Sequence, residues 1–244
     1  MSSKQSHKAK YRTILLKLSG EALQNPKKGL CIDPDICANI AERLKTVRNM
    51  GVRIAIVIGG GNIFRGASGE GRGIDRTSGD YMGMLATMIN ALALQNALEH
   101  ADIATRVMTA IEMNEVAEPF ILRRALRHLE KERILIFAGG TGNPYFSTDS
   151  AAALRASEIG ADVLLKATKV DGIYSDDPLT HPEATRYSSI TYSEALSRSI
   201  EVMDGAAFSL CKDNSIPIVV FNFLEEGSME RVVAGEKIGT QVTE

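Results

Sequence analysis

The chain has 244 residues, a formal net charge of −2 and 44% hydrophobic residues, values that are ordinary for a globular protein. The near-neutral charge predicts no general attraction to nucleic acid or to a membrane surface, so a phosphate ligand must be met by local positive charge. Three cysteines without a Cys-x-x-Cys pair argue against a disulfide framework or a zinc site and indicate a reducing, cytoplasmic location. No apolar run approaches the roughly 20 residues that span a bilayer. The polar, basic residues 1–10 are expected to form a disordered tail rather than a secretory signal.

A first strand is predicted at residues 11–18, with the loop Ser19-Gly20 after it. Lys17 shares one face of this strand with Leu15, and the opposite face is entirely apolar. A lysine in an apolar strand is unfavourable unless it is paired or reaches solvent. Lys17 is therefore either a phosphate-binding group at the carboxyl edge of a sheet or a lysine whose ammonium extends into water.

A helix at residues 33–50 and an apolar strand at 54–58 follow, which is the order of a parallel crossover unit. The strand ends in Gly59-Gly60-Gly61, and Asn62 and Arg65 come next. Glycines at this point let the backbone approach a ligand and aim N–H groups at an anion. Open α/β sheets bind ligands at this edge, although a plain strand-to-helix turn has similar composition.

The glycine-rich, charged residues 66–80 are too polar for a core and predict a mobile substrate loop. A long helix is predicted at 81–99 with Asp80 in its first turn, where the helix dipole favours an acid. A strand at 105–109 and a helix at 119–130 come next.

The strand at 133–138 repeats the earlier pattern, because it also ends in glycines followed by Asn143. Its loop continues with hydroxyl and amide side chains suited to phosphate or sugar oxygens, namely Thr141, Asn143, Ser147 and Thr148. Asp149 then begins an alanine-rich helix that ends at Gly160.

Another strand begins at Ala161 and carries Lys166 and Lys169 at its exit. After it we predict a loop with one short strand at 181–193, helices at 192–200 and 202–211, a strand at 216–222, a short helix at 228–234 and a tail. The repeating order predicts an α/β fold: an open, mainly parallel sheet between two layers of helices. We expect one domain at 11–244, which divides most naturally near Gly160 into two lobes, at about 11–160 and about 161–244.

These strand exits gather glycine N–H groups, three lysines and one arginine at one edge of the sheet. Phosphoryl transfer needs such an edge, since its catalysis rests on positioning and on electrostatic stabilisation of phosphate oxygens. The chain lacks a GxxxxGK[ST] loop, a GxGxxG opening its first helix and a GxSxG elbow. Its four histidines form no spaced cluster, which argues against histidine-based metal binding or catalysis.

Five ordered motifs resemble those of the bacterial uridylate (UMP) kinases, a branch of the amino-acid kinase superfamily. They are Lys17 to Glu21, Val57 to Gly66, Gly79-Asp80 with Met82 to Thr87, Gly142 to Asp149, and Lys166 to Gly172. The resemblance extends from about Tyr11 to Glu244 and implies that the lobe at about 11–160 binds the substrate and the lobe at about 161–244 binds ATP. It implies reversible transfer of the ATP γ-phosphoryl group to UMP, giving UDP and ADP, in pyrimidine nucleotide biosynthesis.

The resemblance also implies roles for the matching residues. ATP would be bound by Lys17, Leu18, Ser19, Gly20, Gly61, Arg65, Thr168, Tyr174 and Asp177, the last three lining the adenine and ribose pocket. UMP would be bound by Gly60, Asp80, Thr141, Gly142, Asn143, Pro144, Tyr145, Phe146, Ser147 and Thr148. The catalytic residues would be Lys17, Lys166 and Asp149, with Asp204 as a further helper.

The implied cofactor is Mg²⁺, bound mainly through the ATP phosphates, and the implied assembly is a homohexamer activated by GTP and inhibited by UTP. The loop Asn25-Pro26-Lys27-Lys28-Gly29 departs from the glycine-rich, acidic loop of the family. Two other hypotheses compete: a carboxylate kinase of the same superfamily and a non-catalytic nucleotide sensor. Asp80 argues against the first, and the presence of Lys17, Lys166 and Asp149 argues against the second.

Overall fold

The computed structural model describes residues 9–65, 73–178, 180–198, 200 and 203–244. Its strands are β1 (Thr13–Leu18), β2 (Arg53–Ile58), β3 (Thr105–Thr109), β4 (Glu118–Pro119), β5 (Ile134–Ala138), β6 (Val163–Thr168), β7 (Ile173–Tyr174), β8 (Arg186–Tyr187), β9 (Ser189–Thr191), β10 (Ile218–Asn222) and β11 (Thr240–Thr243). Its α-helices are α1 (Pro34–Asn49), α2 (Arg76–His100), α3 (Leu122–Glu130), α4 (Thr148–Ile159), α5 (Tyr192–Ser197), α6 (Gly205–Asp213) and α7 (Ser228–Val233).

Nine of these strands form one sheet in the order β4-β3-β5-β2-β1-β6-β10-β11-β9. Every neighbouring pair is parallel except β10 with β11. This arrangement confirms the predicted α/β class with an open, mainly parallel sheet. β1 lies between β2 and β6, so the exits of these three strands are adjacent, and Lys17 is in register with Lys166.

Helices cover both faces of the sheet, as the buried, β-branched strands require. One apolar core joins α1, α2 and α7 to the face of β1 that carries Leu16 and Leu18. The other joins α3, α4, α5 and α6 to the face that carries Leu15. The predicted division of the two faces of β1 is confirmed, and Lys17 lies on the same face as α4.

Several predicted boundaries are wrong. α2 begins at Arg76 after its N-cap Asp75, so Asp80 lies in the second turn rather than the first. α3 begins at Leu122, because Glu118–Pro119 pairs with β3 at the edge of the sheet, where proline is tolerated. α6 begins only after Asp204, whose side chain caps it.

Two strands near the carboxyl end were not predicted as such. The region 181–193 contains β8 and β9 rather than one strand, and the expected tail forms β11 against β10 and β9. The sheet continues across the expected division at Gly160, because β6 pairs with β1. The division into two lobes stays a prediction.

Residues 1–8 of the expected tail and 66–72 of the expected substrate loop lie outside the described residues. The backbone N–H of Lys10 donates to the carbonyl of Val233 at 2.9 Å.

Candidate active site

Two lysines on adjacent strands share one carboxylate. The ammonium of Lys17 lies 2.8 Å from Asp149 Oδ1, and Lys166 Nζ donates to Asp149 Oδ2 at 2.7 Å. Each of the three side chains is only 12–14% exposed. The parallel register places the two lysines side by side, and the first turn of α4 brings the carboxylate to them. The cluster carries one net positive charge and suits an anionic ligand.

The charges of this cluster depend on one another. Burial alone would raise the pKa of the Asp149 carboxyl, but the attraction of Lys17 and Lys166 outweighs it and the pKa lies below its ordinary value. Burial lowers the pKa of the Lys166 ammonium, against the opposing attraction of Asp149. Because Asp149 stays ionised, it holds both ammonium groups in place.

The start of α4, which carries Asp149, is fixed by a second acid. Ser147 caps α4, and its hydroxyl accepts from the backbone N–H of Asp149 at 2.9 Å. The hydroxyls of Ser147 and Ser150 both donate to Asp204, which also accepts from the N–H of Ala207 at the start of α6. Asp204, expected only as a helper, therefore joins the first turns of α4 and α6.

The exits of β1 and β2 are packed against each other through glycine. The N–H of Gly59 donates to the carbonyl of Leu18 at 2.9 Å. A Cβ on Gly20 would lie 2.7 Å from the carbonyl oxygen of Gly59, which no side chain tolerates. Ser19 caps the 3₁₀ turn Gly20–Leu23 that follows β1. The two glycine-containing exits thus form one continuous surface, to which Gly61 and Arg65 also belong.

A buried amide pair supports this surface. Asn90 Nδ2 donates to the carbonyl of Gly59 and to Asn62 Oδ1, both at 2.7 Å, and Asn62 Nδ2 donates back to Asn90 Oδ1 at 3.0 Å. Asn90 is fully buried on α2. Asn90 was not predicted to belong to the site. Its position on the apolar face of a helix is the signal that could have identified it, because buried amides are hydrogen-bonded.

Gly60 sits where β2 meets α2. A Cβ at this position would lie 2.6 Å from the carbonyl oxygen of Gly83 and 3.0 Å from the backbone nitrogen of Thr87. Only glycine lets the two backbones approach this closely.

The loop after β5 is attached to α2 at both ends. The N–H of Gly139 donates to Thr87 Oγ1, and the N–H of Tyr145 donates to Asp80 Oδ2, each at 2.8 Å. Asp80 is also bound by Arg76 Nε at 2.9 Å. The structure therefore brings Asp80 to the loop Thr141–Thr148.

The same loop is largely open to solvent. The Thr141 hydroxyl donates to the carbonyl of Asn143 and accepts from its backbone N–H. Pro144 follows in the chain, and the next two residues, Tyr145 and Phe146, are exposed. Gly142 has a φ of 81°. Tyr145 also has a positive φ of 72°, which is unfavourable for a side chain of this size.

The expected adenine residues are divided between two cavities. Lys17, Lys166 and Thr168 line a cavity of about 750 Å³, whereas Tyr174 and Asp177 line one of about 550 Å³. Val170 lines both cavities. The Thr168 hydroxyl donates to the carbonyl of Val170 at 2.6 Å, and the Tyr174 hydroxyl to Asp171 at 2.5 Å. The structure thus brings Thr168 into the same cavity as the lysines and places Tyr174 and Asp177 in a second cavity, which shares Val170 with the first.

Within the described ranges, no three His, Cys, Asp or Glu side chains are grouped so that they could hold a metal ion. In the same residues, none of the helices combines the length and apolar character needed to cross a membrane.

A family model described as the amino acid kinase family matches residues 12–222. The chain therefore belongs to the amino acid kinase family. A UMP kinase from Bacillus anthracis is similar to it, with a TM-score of 0.92 and 41% sequence identity over 96% of each chain. A UMP kinase from Ureaplasma parvum has a TM-score of 0.90 and 37% identity over 96% of this chain and 99% of that one.

A uridylate kinase from Archaeoglobus fulgidus is a more distant relative, with a TM-score of 0.71 and 28% identity over 94% of this chain and 99% of that one. The resemblance to the UMP kinases within the amino acid kinase family is confirmed by these matches, which cover almost the whole chain.

Proposed function

We propose that the chain is a UMP kinase, which transfers the γ-phosphoryl group of ATP to UMP and so forms UDP and ADP. The observation that carries this proposal is the cluster of Lys17, Lys166 and Asp149 beside the glycine-containing exits of β1 and β2. It provides two buried ammonium groups where phosphoryl transfer needs positive charge, and the UMP kinases named above share the fold over almost the whole chain.

The reaction needs no protein base, because the attacking phosphate oxygen of UMP is already ionised. Lys17 stabilises the charge on the transferring phosphoryl group and Lys166 neutralises a second phosphate oxygen. Asp149 is the positioning group that keeps the two ammoniums at a fixed separation. Such preorganised charges require no rearrangement as the transition state forms.

The cofactor would be Mg²⁺, which would be held mainly by the ATP phosphates and would neutralise part of their charge. Both oxygens of Asp149 already contact lysine ammoniums, so this carboxylate is committed within the protein. This fits a metal ion held mainly by phosphates and water.

ATP is bound at the lysine side of the site by Lys17, Leu18, Ser19, Gly20, Gly61 and Arg65, with Thr168, Tyr174 and Asp177 around its adenosine. UMP is bound at the other side by Gly60, Asp80 and the loop Thr141–Thr148. The close packing of Gly60 on α2 and the bond from Tyr145 to Asp80 support a single acceptor pocket formed by these elements.

The proposal includes a cytoplasmic homohexamer regulated by GTP and UTP. Support for self-association comes from α2, whose side chains Tyr81, Leu85, Ile89 and Leu92 are exposed although apolar. In the divergent loop 25–29, Lys28 is paired with Asp33 at 3.2 Å and Asp35 at 3.0 Å.

The test is ADP formation from ATP and Mg²⁺ with UMP, CMP, aspartate or acetylglutamate as acceptor, with and without GTP. We expect strong turnover with UMP and none with the two carboxylates. Turnover with a carboxylate alone would indicate the carboxylate kinase, and nucleotide binding without turnover would indicate the sensor. The GTP arm tests whether the loop 25–29 supports activation.

A further inference from the structure

A carboxylate at the exit of β1 joins two cations that the proposed mechanism does not yet connect. Glu21 lies in the 3₁₀ turn Gly20–Leu23, directly after β1. Its Oε1 pairs with the guanidinium of Arg65, and its Oε2 accepts from Lys169 Nζ at 3.1 Å.

The two cations come from opposite sides of β1. Arg65 follows the exit of β2 and Lys169 follows the exit of β6, and these are the two strands that flank β1 in the sheet. Glu21 therefore connects three neighbouring strand exits through one side chain. Glu21 and Lys169 also line the same cavity of about 750 Å³ as Lys17 and Lys166, so their charges face the phosphate side of the site.

These ion pairs contribute little to stability, because Arg65 and Lys169 are 61% and 64% exposed, whereas Glu21 is 22% exposed. Their effect is to orient the side chains of Arg65 and Lys169. A guanidinium has five N–H donors and an ammonium has three, so each cation keeps donors for a second anion while one is used by Glu21. Long side chains that are already oriented lose less rotamer freedom when a ligand binds.

We propose that Glu21 is a positioning residue of the phosphoryl-donor site, which holds Arg65 and Lys169 ready for the phosphates of ATP, and that Lys169 is a phosphate-binding residue of the same site. This inference rests on the donor site proposed above. It adds Glu21 and Lys169 to that site, and it explains the positions of both cations by their contacts with Glu21.

The test is a double-mutant cycle with Glu21→Gln and Lys169→Gln. For each variant, KM for ATP, KM for UMP and kcat are measured, and Kd for Mg·ADP is measured by calorimetry. We expect each single variant to raise KM for ATP and Kd for Mg·ADP about three- to tenfold, with KM for UMP and kcat changed less than about twofold. The double variant should be clearly less affected than the product of the two single effects, because Glu21 acts partly through Lys169.

Glu236→Gln is the matched control, since it removes a carboxylate from an exposed ion pair with Arg231, outside the lining of the 750 Å³ cavity. Glu21→Asp, which keeps the charge, should recover part of the lost ADP affinity. Unchanged or lower KM for ATP in Glu21→Gln, or fully independent effects in the cycle, would overturn the inference. If the wild-type protein does not bind Mg·ADP, the donor site itself is overturned. If the wild type binds Mg·ADP and the variants bind it equally well, only the roles of Glu21 and Lys169 are overturned.

Discussion

The two sides of the site hold their charged groups in different ways. At the lysine side, Lys17, Lys166 and Asp149 are nearly buried. The two lysines lie on adjacent strands, and each contacts the Asp149 carboxylate at the start of α4. At the acceptor side, Asp80 is bound by Arg76 and by one backbone N–H of a loop in which Tyr145 is 68% exposed.

In the proposed function, this difference separates two tasks. The lysine side is built for fixed electrostatics, because charges held by sheet and helix need not move as the phosphoryl group transfers. The acceptor side serves recognition, since its exposed loop side chains are accessible to a nucleotide. Substitutions at the lysine side should therefore change kcat, and those at the acceptor side should change KM for UMP.

The largest effect is expected from Lys17→Ala, which removes the ammonium that the proposed mechanism places at the transferring phosphoryl group. We expect kcat to fall about 10²- to 10³-fold, as happens when a preorganised transition-state donor is lost. Steady-state kinetics with UMP and ATP measure this, and circular dichroism checks the fold. Lys131→Ala, at an exposed helix end, is the control. Turnover within about tenfold of the wild type would remove Lys17 from the mechanism.

Asp149→Asn tests whether the lysine side is held by its shared carboxylate. The variant removes the carboxylate that both nearly buried ammoniums contact, and we expect the free energy of unfolding to fall by about 3 kcal/mol. Urea denaturation at neutral pH measures the change. Asp213→Asn, at the exposed end of α6, should behave like the wild type.

We also expect Asp149→Asn to change how the free energy of unfolding depends on pH in acid. The pKa of Asp149 is lower in the folded protein than its ordinary value of 3.8, so its stabilisation is fully present above pH 3.8 and is lost as pH falls through the folded pKa. Asp149→Asn should therefore lose less stability than the wild type between about pH 5 and pH 2. Parallel curves for the two proteins would mean that Asp149 is not held by the lysines.

Asp80→Ala tests the acceptor side. We expect KM for UMP to rise about 10- to 100-fold, the size of a lost hydrogen bond to a charged group, and KM for ATP to change little. Asp80→Asn should have a smaller effect, because it keeps an oxygen that accepts from Tyr145. Equal rises in the two KM values would contradict a role in binding the ribose of UMP.

Much of this arrangement could be predicted from the sequence because parallel strands place their exits at one edge. The meeting of Lys17 with Lys166 follows from that rule. The short strands β4 and β11 could not be predicted, since strands of two to four residues carry little periodicity and Pro119 argues against a strand.

The supporting contacts were less predictable than the charged residues. Asn90 lies in a helix whose apolar residues predict a plain core, and Asp204 caps a helix predicted to begin before it. Glu21 belongs to a recognised motif, but its two partners come from other strand exits, and a sequence does not give distances between exits.

Thr87→Val is expected to have the smallest effect, and it tests how firmly the acceptor loop is attached to α2. The Thr87 hydroxyl is buried and accepts from the N–H of Gly139, while donating to the carbonyl of Met84 at 2.6 Å. Valine keeps the shape and leaves the N–H of Gly139 without this acceptor, which lowers the free energy of unfolding by about 1 kcal/mol. Thermal denaturation and KM for UMP measure the outcome, and Thr87→Ser is the control because it keeps the hydroxyl. If valine lowers stability but leaves KM for UMP unchanged, the loop is positioned mainly by Asp80 at its other end. A rise in KM for UMP of about twofold or more would show that both attachments set the acceptor pocket.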